Sequence, residues 1–431
     1  MTTPVRPAPR AWLVWGVVAF LFLFAFFHRA APGVFAKELM QAFGATGAII
    51  GLLSATYFYA YAGLMIPAGL LLDRLGVRWV GTAGGLVMGV GTLLMAFASE
   101  MPLLFAGRFL VGAGASVMFV GALKLAAAWF PAGYFATLSA ATASTGVLGG
   151  LVATVPMAWL AAALGWRGGL AVVGVVTLAT TIGCLVLVRD QPADHPDVGS
   201  PAPEWAAVLA GLGRVLRNPH TWPPFLAFFF LYSAVNNFLF WVVPCLRDLY
   251  GLGMTDAAFY ATATSLALLV AGPLTGFVSD HVLRRRRLPY TVLTAAQFVL
   301  WVAFVLTLGR LPLGGVYVLF FAMGLLGGAF VLTWPLGREV NPPELSGIAV
   351  AAVNVGGFVG AALTQGPLGA LLDARWAGQT LAGARVYPVE AYRASFAASA
   401  VLVLCAALIS LAFRETRGRN VYAELRRSTA G

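Results

Sequence analysis

Long apolar runs separated by short polar turns extend from about residue 11 to residue 413. A run of about 20 apolar residues predicts a membrane-spanning helix, because a rise of about 1.5 Å per residue carries it across a hydrocarbon core of roughly 30 Å. The pattern predicts an all-α membrane protein with twelve such helices. Their approximate bounds are Ala11–Val34, Gly47–Leu72, Trp79–Phe97, Leu103–Phe130, Phe135–Leu164, Gly168–Val188, Trp222–Leu246, Ala257–His281, Tyr290–Leu308, Leu313–Leu336, Ser346–Leu372 and Ala394–Phe413.

One long polar segment interrupts the apolar runs. Residues 189–220 are rich in proline and charge, which predicts a cytoplasmic linker between two six-helix bundles. The bundles would then cover residues 1–188 and 221–414, with a cytoplasmic tail at 415–431. Within the linker, Glu204–Leu216 has the composition of a short helix at the membrane surface.

Composition places the chain in a membrane. Hydrophobic residues make up 60% and charged residues 10% of the 431 residues, whereas a soluble domain carries about 25% charged residues. The three cysteines, Cys184, Cys245 and Cys405, lie in apolar runs without C-x-x-C spacing. That pattern argues against a disulfide framework or a metal site, and we expect no cofactor.

The basic residues give the predicted topology. With the N-terminus in the cytoplasm, the inner segments carry 17 lysines and arginines and the outer segments carry 7. This asymmetry places both termini inside. The net charge of +11 therefore reflects topology rather than a nucleic-acid partner. We expect a monomer in the cytoplasmic (inner) membrane whose partners are the lipid bilayer and a small-molecule substrate.

Glycine, proline and aspartate positions of the first half recur in the second. The pairs separated by 207 residues are Gly69–Gly276 and Asp73–Asp280, and those separated by 211 are Gly146–Gly357, Gly149–Gly360 and Pro156–Pro367. Similar offsets at two separate places predict one six-helix unit used twice, so that the two bundles are pseudo-symmetric.

Residues 69–78 read Gly-Leu-Leu-Leu-Asp-Arg-Leu-Gly-Val-Arg. They resemble the signature loop of the major facilitator superfamily (MFS), G-x-x-x-D-R-x-G-x-R between helices 2 and 3. The matching residues are Gly69, Asp73, Arg74, Gly76 and Arg78. The resemblance covers nearly the whole chain and implies the two-lobed MFS transporter fold.

The same loop predicts a gating motif, to which Gly276 and Asp280 add the second-half counterpart. A carboxylate at a helix C-terminus is unfavourable by the helix dipole alone, so Asp73 should bind a donor. We expect Arg74, Arg78 or the N-terminus of a helix in the other half to supply it, as a latch that opens and closes. The glycines of the loop should allow close helix approach and a tight turn.

Two arginines are candidates for substrate binding. Arg108, with Gly112 and Gly114, resembles a second family motif, R-x-x-x-G-x-G. It either faces helix 1 inside the bundle or extends to the membrane surface. Arg29 resembles the arginine of the Asp-Arg position in the anion:cation symporter branch, where His28 stands in place of the common acid. That resemblance implies that Arg29 binds a substrate carboxylate, although Arg29 could also mark the membrane boundary.

Acidic residues are missing from the predicted helix centres. All sixteen fall in loops or at helix ends, whereas Arg29, Arg108 and Lys124 lie in or near the membrane. A cavity with excess positive charge attracts anions. Without a mid-membrane carboxylate, His28 is the candidate for proton coupling; alternatively the proton travels on the substrate, or another anion supplies the gradient. Lys124 points about 160° away from Arg108, and we expect it to extend to the inner surface.

Neutral polar side chains on predicted helix faces complete the candidate binding site or, alternatively, bond helices together. They are Tyr57, Tyr61, Tyr232, Asn236, Asn354 and Gln365.

These features predict a secondary active transporter, by symport or another coupling, for a small organic anion. Two other transport functions stay open: efflux of hydrophobic compounds, and carriage of a dipeptide or zwitterion. Against drug efflux, the helix-5 motif of drug–proton antiporters is incomplete, because Gly146 to Gly150 is followed by a proline only at Pro156. A membrane enzyme or sensor is a further rival, but the sequence has no metal cluster, nucleophile constellation or catalytic domain, so we predict that the chain is not an enzyme.

Overall fold

A computed structural model describes residues 8–131, 134–192 and 205–429. The described residues form sixteen α-helices: α1 Pro9–Val34, α2 Ala36–Phe43, α3 Gly47–Ala96, α4 Met101–Ala115, α5 Met118–Trp129, α6 Phe135–Val152, α7 Val155–Leu187, α8 Trp205–Arg217, α9 Trp222–Tyr250, α10 Met254–Phe277, α11 Arg287–Thr307, α12 Leu313–Gly327, α13 Thr333–Glu339, α14 Ser346–Asp373, α15 Val389–Ser410 and α16 Tyr422–Thr429. The strands β1 Thr380–Leu381 and β2 Ala384–Arg385 form a short antiparallel hairpin. Residues 193–204 of the predicted linker and the last two residues of the predicted tail lie outside the described residues.

The prediction of twelve membrane-spanning helices is confirmed. Two long elements, α3 and α7, each contain two helices that meet at a glycine with positive φ, Gly76 (80°) and Gly165 (72°). Left-handed backbone ends a helix, and glycine adopts it without steric cost. We count α6 together with the first part of α7, which follows it after two residues, as one span. Helices α4 and α5 form one apolar segment, Met101–Trp129. Counted in this way, the elements give six spans before the linker and six after it.

The chain divides into two compact units. Unit 1 contains Met1–Pro32 and Thr56–Pro203, and unit 2 contains Gly33–Ala55 and Glu204–Gly431. The end of the first helix, α2 and the start of α3 therefore belong to unit 2, although they precede most of unit 1 in sequence.

The repeat seen in the sequence is also a repeat of packing. In unit 1 a Cβ added to Gly149 of α6 would overlap the Leu23 carbonyl of α1, and in unit 2 a Cβ on Gly360 of α14 would lie 2.5 Å from the Phe229 carbonyl of α9. A second equivalent set is Gly112 against the Tyr57 carbonyl and Gly324 against the Thr264 carbonyl. Only glycine permits this separation of helix backbones, so the glycine positions fix the same helix–helix contacts in both halves.

Candidate functional site

In unit 1, Arg29 of α1 lies against three aromatic rings. Its guanidinium carbon is 3.9 Å from the centre of the Phe26 ring, 4.9 Å from that of Tyr61 and 5.9 Å from that of Tyr57. Phe26 precedes Arg29 by three residues and so shares its helix face, while Tyr57 and Tyr61 are four apart on α3 and stack with ring centres 5.8 Å apart. Aromatic faces attract a cation, and these three orient the guanidinium in an apolar setting.

Tyr57 connects this arginine to a second one. Its hydroxyl accepts a hydrogen bond from Arg29 Nε at 3.4 Å and donates to the Ala25 carbonyl at 2.8 Å. The guanidinium carbon of Arg108 lies 5.0 Å from the centre of the Tyr57 ring. Two positive groups therefore lie on one buried tyrosine, and Tyr57 fixes the distance between them.

Arg108 of α4 is fully buried and faces α1, as one of the two alternatives predicted. One Nη donates to the His28 carbonyl at 2.5 Å. Its Nε and its other Nη have no hydrogen-bond partner among the described residues, and no carboxylate in that part of the chain forms an ion pair with it. Burial of a cation with unused donors costs free energy. A bound anion would compensate this positive charge.

His28 lies beside Arg108 in the packing between α1 and α3. Its Nε2 is 3.1 Å from Thr92 Oγ1, and the Thr92 hydroxyl lies 2.8 Å from the Met88 carbonyl that accepts its proton. Since the Thr92 proton is donated to Met88, the Thr92 oxygen is available to accept from the imidazole. His28, Arg29, Tyr57, Tyr61 and Arg108 are thus brought together in unit 1.

The candidate residues of unit 2 lie on α9 and α14. Tyr232 packs its ring among other aromatic rings, with ring centres 5.0 Å from Phe228, 5.7 Å from Phe330 and 5.6 Å from Phe358. Asn354, which is half-buried, lies one helical turn from Phe358 on α14. The aromatic cluster thus contains Tyr232 and lies next to Asn354.

The two remaining candidates of unit 2 have different surroundings. Asn236 donates its side-chain amide to the Tyr232 carbonyl at 3.0 Å, so one of its bonds is to its own helix. Gln365 is buried, and its Oε1 has no hydrogen-bond partner in the described part of the chain. The Gln365 side chain therefore offers an unused acceptor.

Sequence reasoning missed several contributors. In unit 1 these are Phe26 and Thr92, and in unit 2 they are Phe330, Trp334 and Phe358. The spacing of three between Phe26 and Arg29 could have identified the first. Phe358 likewise follows the candidate Asn354 by four residues on α14. Thr92, Phe330 and Trp334 come from other segments of the chain, so spacing holds no signal for them.

At the signature loop, the donor to Asp73 differs from the one predicted. Lys124 Nζ lies 2.8 Å from Asp73 Oδ1 and 2.6 Å from the Leu72 carbonyl. Arg74 is exposed, and Arg78 donates from its Nε to the Leu185 carbonyl at 3.0 Å. The prediction of Arg74 or Arg78 was wrong because the packing of α5 brings the Lys124 ammonium to this helix end. The pair is about one-third exposed.

Gly76 performs the predicted turn. Its positive φ ends one helix and begins the next, and the amides of Val77 and Arg78 then donate to Asp190 Oδ1 at 2.5 Å and 3.1 Å. An added Cβ at Gly76 would lie 2.6 Å from the Asp190 carboxyl carbon. The lack of a side chain thus lets Asp190 cap a helix N-terminus, where the dipole favours a carboxylate.

The predicted close approach at Gly69 is not found. An added Cβ at Gly69, or at its second-half counterpart Gly276, would meet no atom within 4 Å. Both glycines lie on helix faces with open space beside them, so close packing does not explain either one.

In the second half of the repeat, Asp280 pairs with Arg286. The other Nη of Arg286 lies 3.2 Å from Glu339 Oε1, and Glu415 accepts from the Arg286 amide at 2.8 Å and the Arg287 amide at 3.2 Å. Burial alone would lower the pKa of Arg286, but Glu339 and Asp280 outweigh it and raise that pKa. Glu415 caps α11 here as Asp190 caps the helix that follows Gly76.

The opposite ends of the helices carry a buried ion pair in unit 2. Lys37 Nζ lies 2.6 Å from Asp248 Oδ2, and both side chains are less than a tenth exposed. The same carboxylate oxygen accepts from the Tyr387 amide at 3.0 Å and the Tyr392 hydroxyl at 2.8 Å. Burial lowers the pKa of the Lys37 ammonium, although Asp248 opposes the shift. A second pair, Glu38–Arg247, lies beside it at 2.8 Å and is more exposed.

Asp373 also holds segment Gly33–Ala55 within unit 2. It accepts hydrogen bonds from the amides of Gly47 at 2.9 Å and Ala48 at 2.7 Å, the first residues of α3. Arg385 and the Tyr387 hydroxyl bind the same carboxylate at 2.9 Å and 2.7 Å. One carboxylate therefore joins a helix N-terminus to the β1–β2 hairpin.

Known proteins resemble this chain along most of its length. The sequence profile of the Major Facilitator Superfamily matches residues 18–365. The probable sulfoacetate transporter SauU of Cupriavidus necator is 25% identical over 63% of this chain and 66% of its own length. The probable galactarate/D-glucarate transporter GarP of Escherichia coli is 24% identical over 80% and 84%. A solved bacterial homologue of the human lysosomal transporter Spinster, described as inward-facing and unoccupied, has a TM-score of 0.79 at 16% identity, covering 94% of this chain and 97% of that one. The chain spans about two thirds of the first relatives it matches.

Proposed function

The chain belongs to the major facilitator superfamily, and from this premise we propose that it is a secondary active transporter that carries a small organic anion, a carboxylate, by alternating access. It is a transporter of this family and not an enzyme. Two of its relatives are described as probable transporters of galactarate or D-glucarate and of sulfoacetate, which supports an anionic substrate here.

The observation that carries the proposal is the pair of guanidinium groups on Tyr57. Arg29 offers a planar fork of donors that matches a carboxylate. Arg108 adds a second buried positive charge with two unused donors. In the low dielectric of a membrane protein, these charges favour an anion and oppose a cation.

Residues of unit 2 are also proposed to bind substrate. We assign Tyr232, Asn236, Asn354 and Gln365 to this role. The unused Oε1 of Gln365 accepts a donor from the substrate, and the aromatic rings around Tyr232 exclude water from its apolar parts.

We also propose the ion pairs at the helix ends as gates. Of the three pairs, Lys37–Asp248 joins the predicted halves, residues 1–188 and 221–414, whereas Asp73–Lys124 lies within the first half and Asp280–Arg286 within the second. A pair that breaks when access changes gives two discrete states. Asp73–Lys124 and Asp280–Arg286 belong to the end that the charge asymmetry makes cytoplasmic, and Lys37–Asp248 belongs to the opposite end. We further propose an inner-membrane location with both termini in the cytoplasm.

Uptake into proteoliposomes tests the proposal. We expect dicarboxylates or other small carboxylates to be transported, and Arg29→Ala to reduce carboxylate affinity by about 10- to 100-fold, since a hydrogen bond to a charged group contributes about 1.5–3 kcal/mol. Arg167→Ala is the matched control, because Arg167 also lies on an aromatic ring, 4.3 Å from the centre of Trp166, but outside the candidate site.

Other outcomes would replace the proposal. Transport of hydrophobic cations that Arg29→Ala leaves unchanged would favour the efflux carrier. No solute movement under any gradient would favour a sensor.

The same vesicles test His28 as the proton carrier. His28→Gln retains a hydrogen-bonding side chain but cannot carry a proton at neutral pH. Proton-driven uptake by this variant would exclude the role of His28 as the proton carrier.

A further inference from the structure

Helix α8 has two apolar faces, of which unit 2 covers only one. Val215 packs in a buried cluster with Ala349 and Ala352 of α14. Trp205, Leu209 and Leu216 are 38%, 57% and 36% exposed. At 100° per residue these three lie within about 40° of one another on the helix, so they form one stripe. We name them the exposed stripe.

A basic cavity opens beside the same helix. It lies between α8, the turn Pro219–Thr221 and α16, and its volume is about 290 Å³. Its lining includes Arg214, Arg217, Asn218, His220, Tyr422 and Arg426, with no acidic residue among the described residues that line it. Glu344 pairs with Arg214 at 3.2 Å, but both side chains are more than half exposed, so this pair neutralises the cavity only weakly.

We propose that this cavity binds the phosphate group of an anionic phospholipid, whose acyl chains cover the exposed stripe. Guanidinium groups bind phosphate through paired donors. An amphipathic helix with an exposed apolar stripe lies at the membrane interface, where anionic lipids are present at high local concentration. A soluble phosphate compound would fill the cavity but leave the stripe in water, and for this reason the lipid is the occupant to which the two features together point.

The binding does not depend on the transported substrate, so it can be tested apart from transport. The full chain, reconstituted in phosphatidylcholine nanodiscs, is titrated with phosphatidylglycerol at low salt. The pocket variant Arg217→Gln/Arg426→Gln should bind phosphatidylglycerol about 30-fold more weakly, since each arginine near an anionic surface contributes about fivefold. The matched control Arg417→Gln/Arg419→Gln removes two charges from exposed positions that do not line the cavity and should weaken binding much less than the pocket variant.

A second comparison separates the lipid from a free phosphate. Leu209→Gln/Leu216→Gln should weaken phosphatidylglycerol binding. Inorganic phosphate and glycerol phosphate at millimolar concentrations should not compete with phosphatidylglycerol for the cavity. Equal losses in the pocket variant and the matched control would overturn the proposal in favour of nonspecific charge attraction. Competition by soluble glycerol phosphate, with no effect of the stripe substitutions, would overturn it in favour of a free phosphate ligand.

Discussion

The Lys37–Asp248 pair should be the polar contact on which the stability of unit 2 depends most. Its atoms are 2.6 Å apart and both side chains are less than a tenth exposed. Removal of one partner leaves the other as a buried, unpaired charge, which costs about 3–5 kcal/mol. Lys37→Met and Asp248→Asn should therefore each lower the free energy of unfolding by about this amount.

The double variant Lys37→Met/Asp248→Asn should lose much less than the sum of the two singles. An asparagine still accepts from the Tyr387 amide and the Tyr392 hydroxyl, which otherwise donate to Asp248, and no buried charge is left. We expect a total loss of about 1–2 kcal/mol, that is, a coupling energy of several kcal/mol in a double-mutant cycle.

Unfolding of the purified protein by SDS in mixed micelles measures these values. Glu38→Gln is the matched control, because Glu38–Arg247 joins the same two segments but its side chains are 21% and 23% exposed; we expect about 1 kcal/mol. If Lys37→Met loses no more than Glu38→Gln, or if the two single losses add in the double variant, burial does not set the strength of this pair and the reasoning is refuted.

The pH dependence of Asp248→Asn gives a further check on the same pair. Burial already lowers the pKa of Lys37 below its ordinary 10.5, and removal of the carboxylate takes away the strongest influence that opposes this shift. The unfolded chain then binds the proton at pH values where the folded chain has released it, so the stability of this variant should rise as the pH is raised toward 10.5. A stability that falls or stays level as the pH is raised would mean that Lys37 is solvated in the variant.

Two more substitutions test the gate and the helix packing. Asp73→Asn should slow turnover while it changes stability by less than about 1 kcal/mol, since its pair with Lys124 is about one-third exposed; unchanged uptake rates would exclude a gating role. Gly149→Val should lower thermal stability by about 1–3 kcal/mol more than Gly150→Val, because its side chain would overlap the Leu23 carbonyl whereas Gly150 has open space around it. Equal losses would show that helix propensity, not packing, is responsible.

The sequence predicted the helices better than their contacts. Each membrane-spanning run carries its own signal, because the hydrocarbon core imposes a minimum apolar length on every span separately. The glycine pairs at offsets of 207 and 211 likewise predicted a repeated unit, and Gly149 and Gly360 make equivalent close contacts in the two units.

The polar partners were less accessible from the sequence. Asp73 was expected to bind Arg74, Arg78 or the N-terminus of a helix in the other half, but Lys124, 51 residues away, is its partner. Gly69 and Gly76 belong to one motif, yet only Gly76 needs the absence of a side chain. Neither outcome follows from spacing, because spacing gives the face of a helix and not the neighbour that covers it.

The sequence by itself thus determined the class of protein, the number of spans, the repeat and the lack of carboxylates at helix centres. Only the tertiary structure decided that Arg108 faces the His28 carbonyl, that Tyr57 lies between two guanidinium groups, and that residues 33–55 are held by Asp248 and Asp373. The physical reason is that the two kinds of interaction depend on different information. The composition of a segment alone decides whether its transfer out of water is favourable. A hydrogen bond or ion pair forms only when packing brings two side chains that are distant in sequence within about 3 Å of each other.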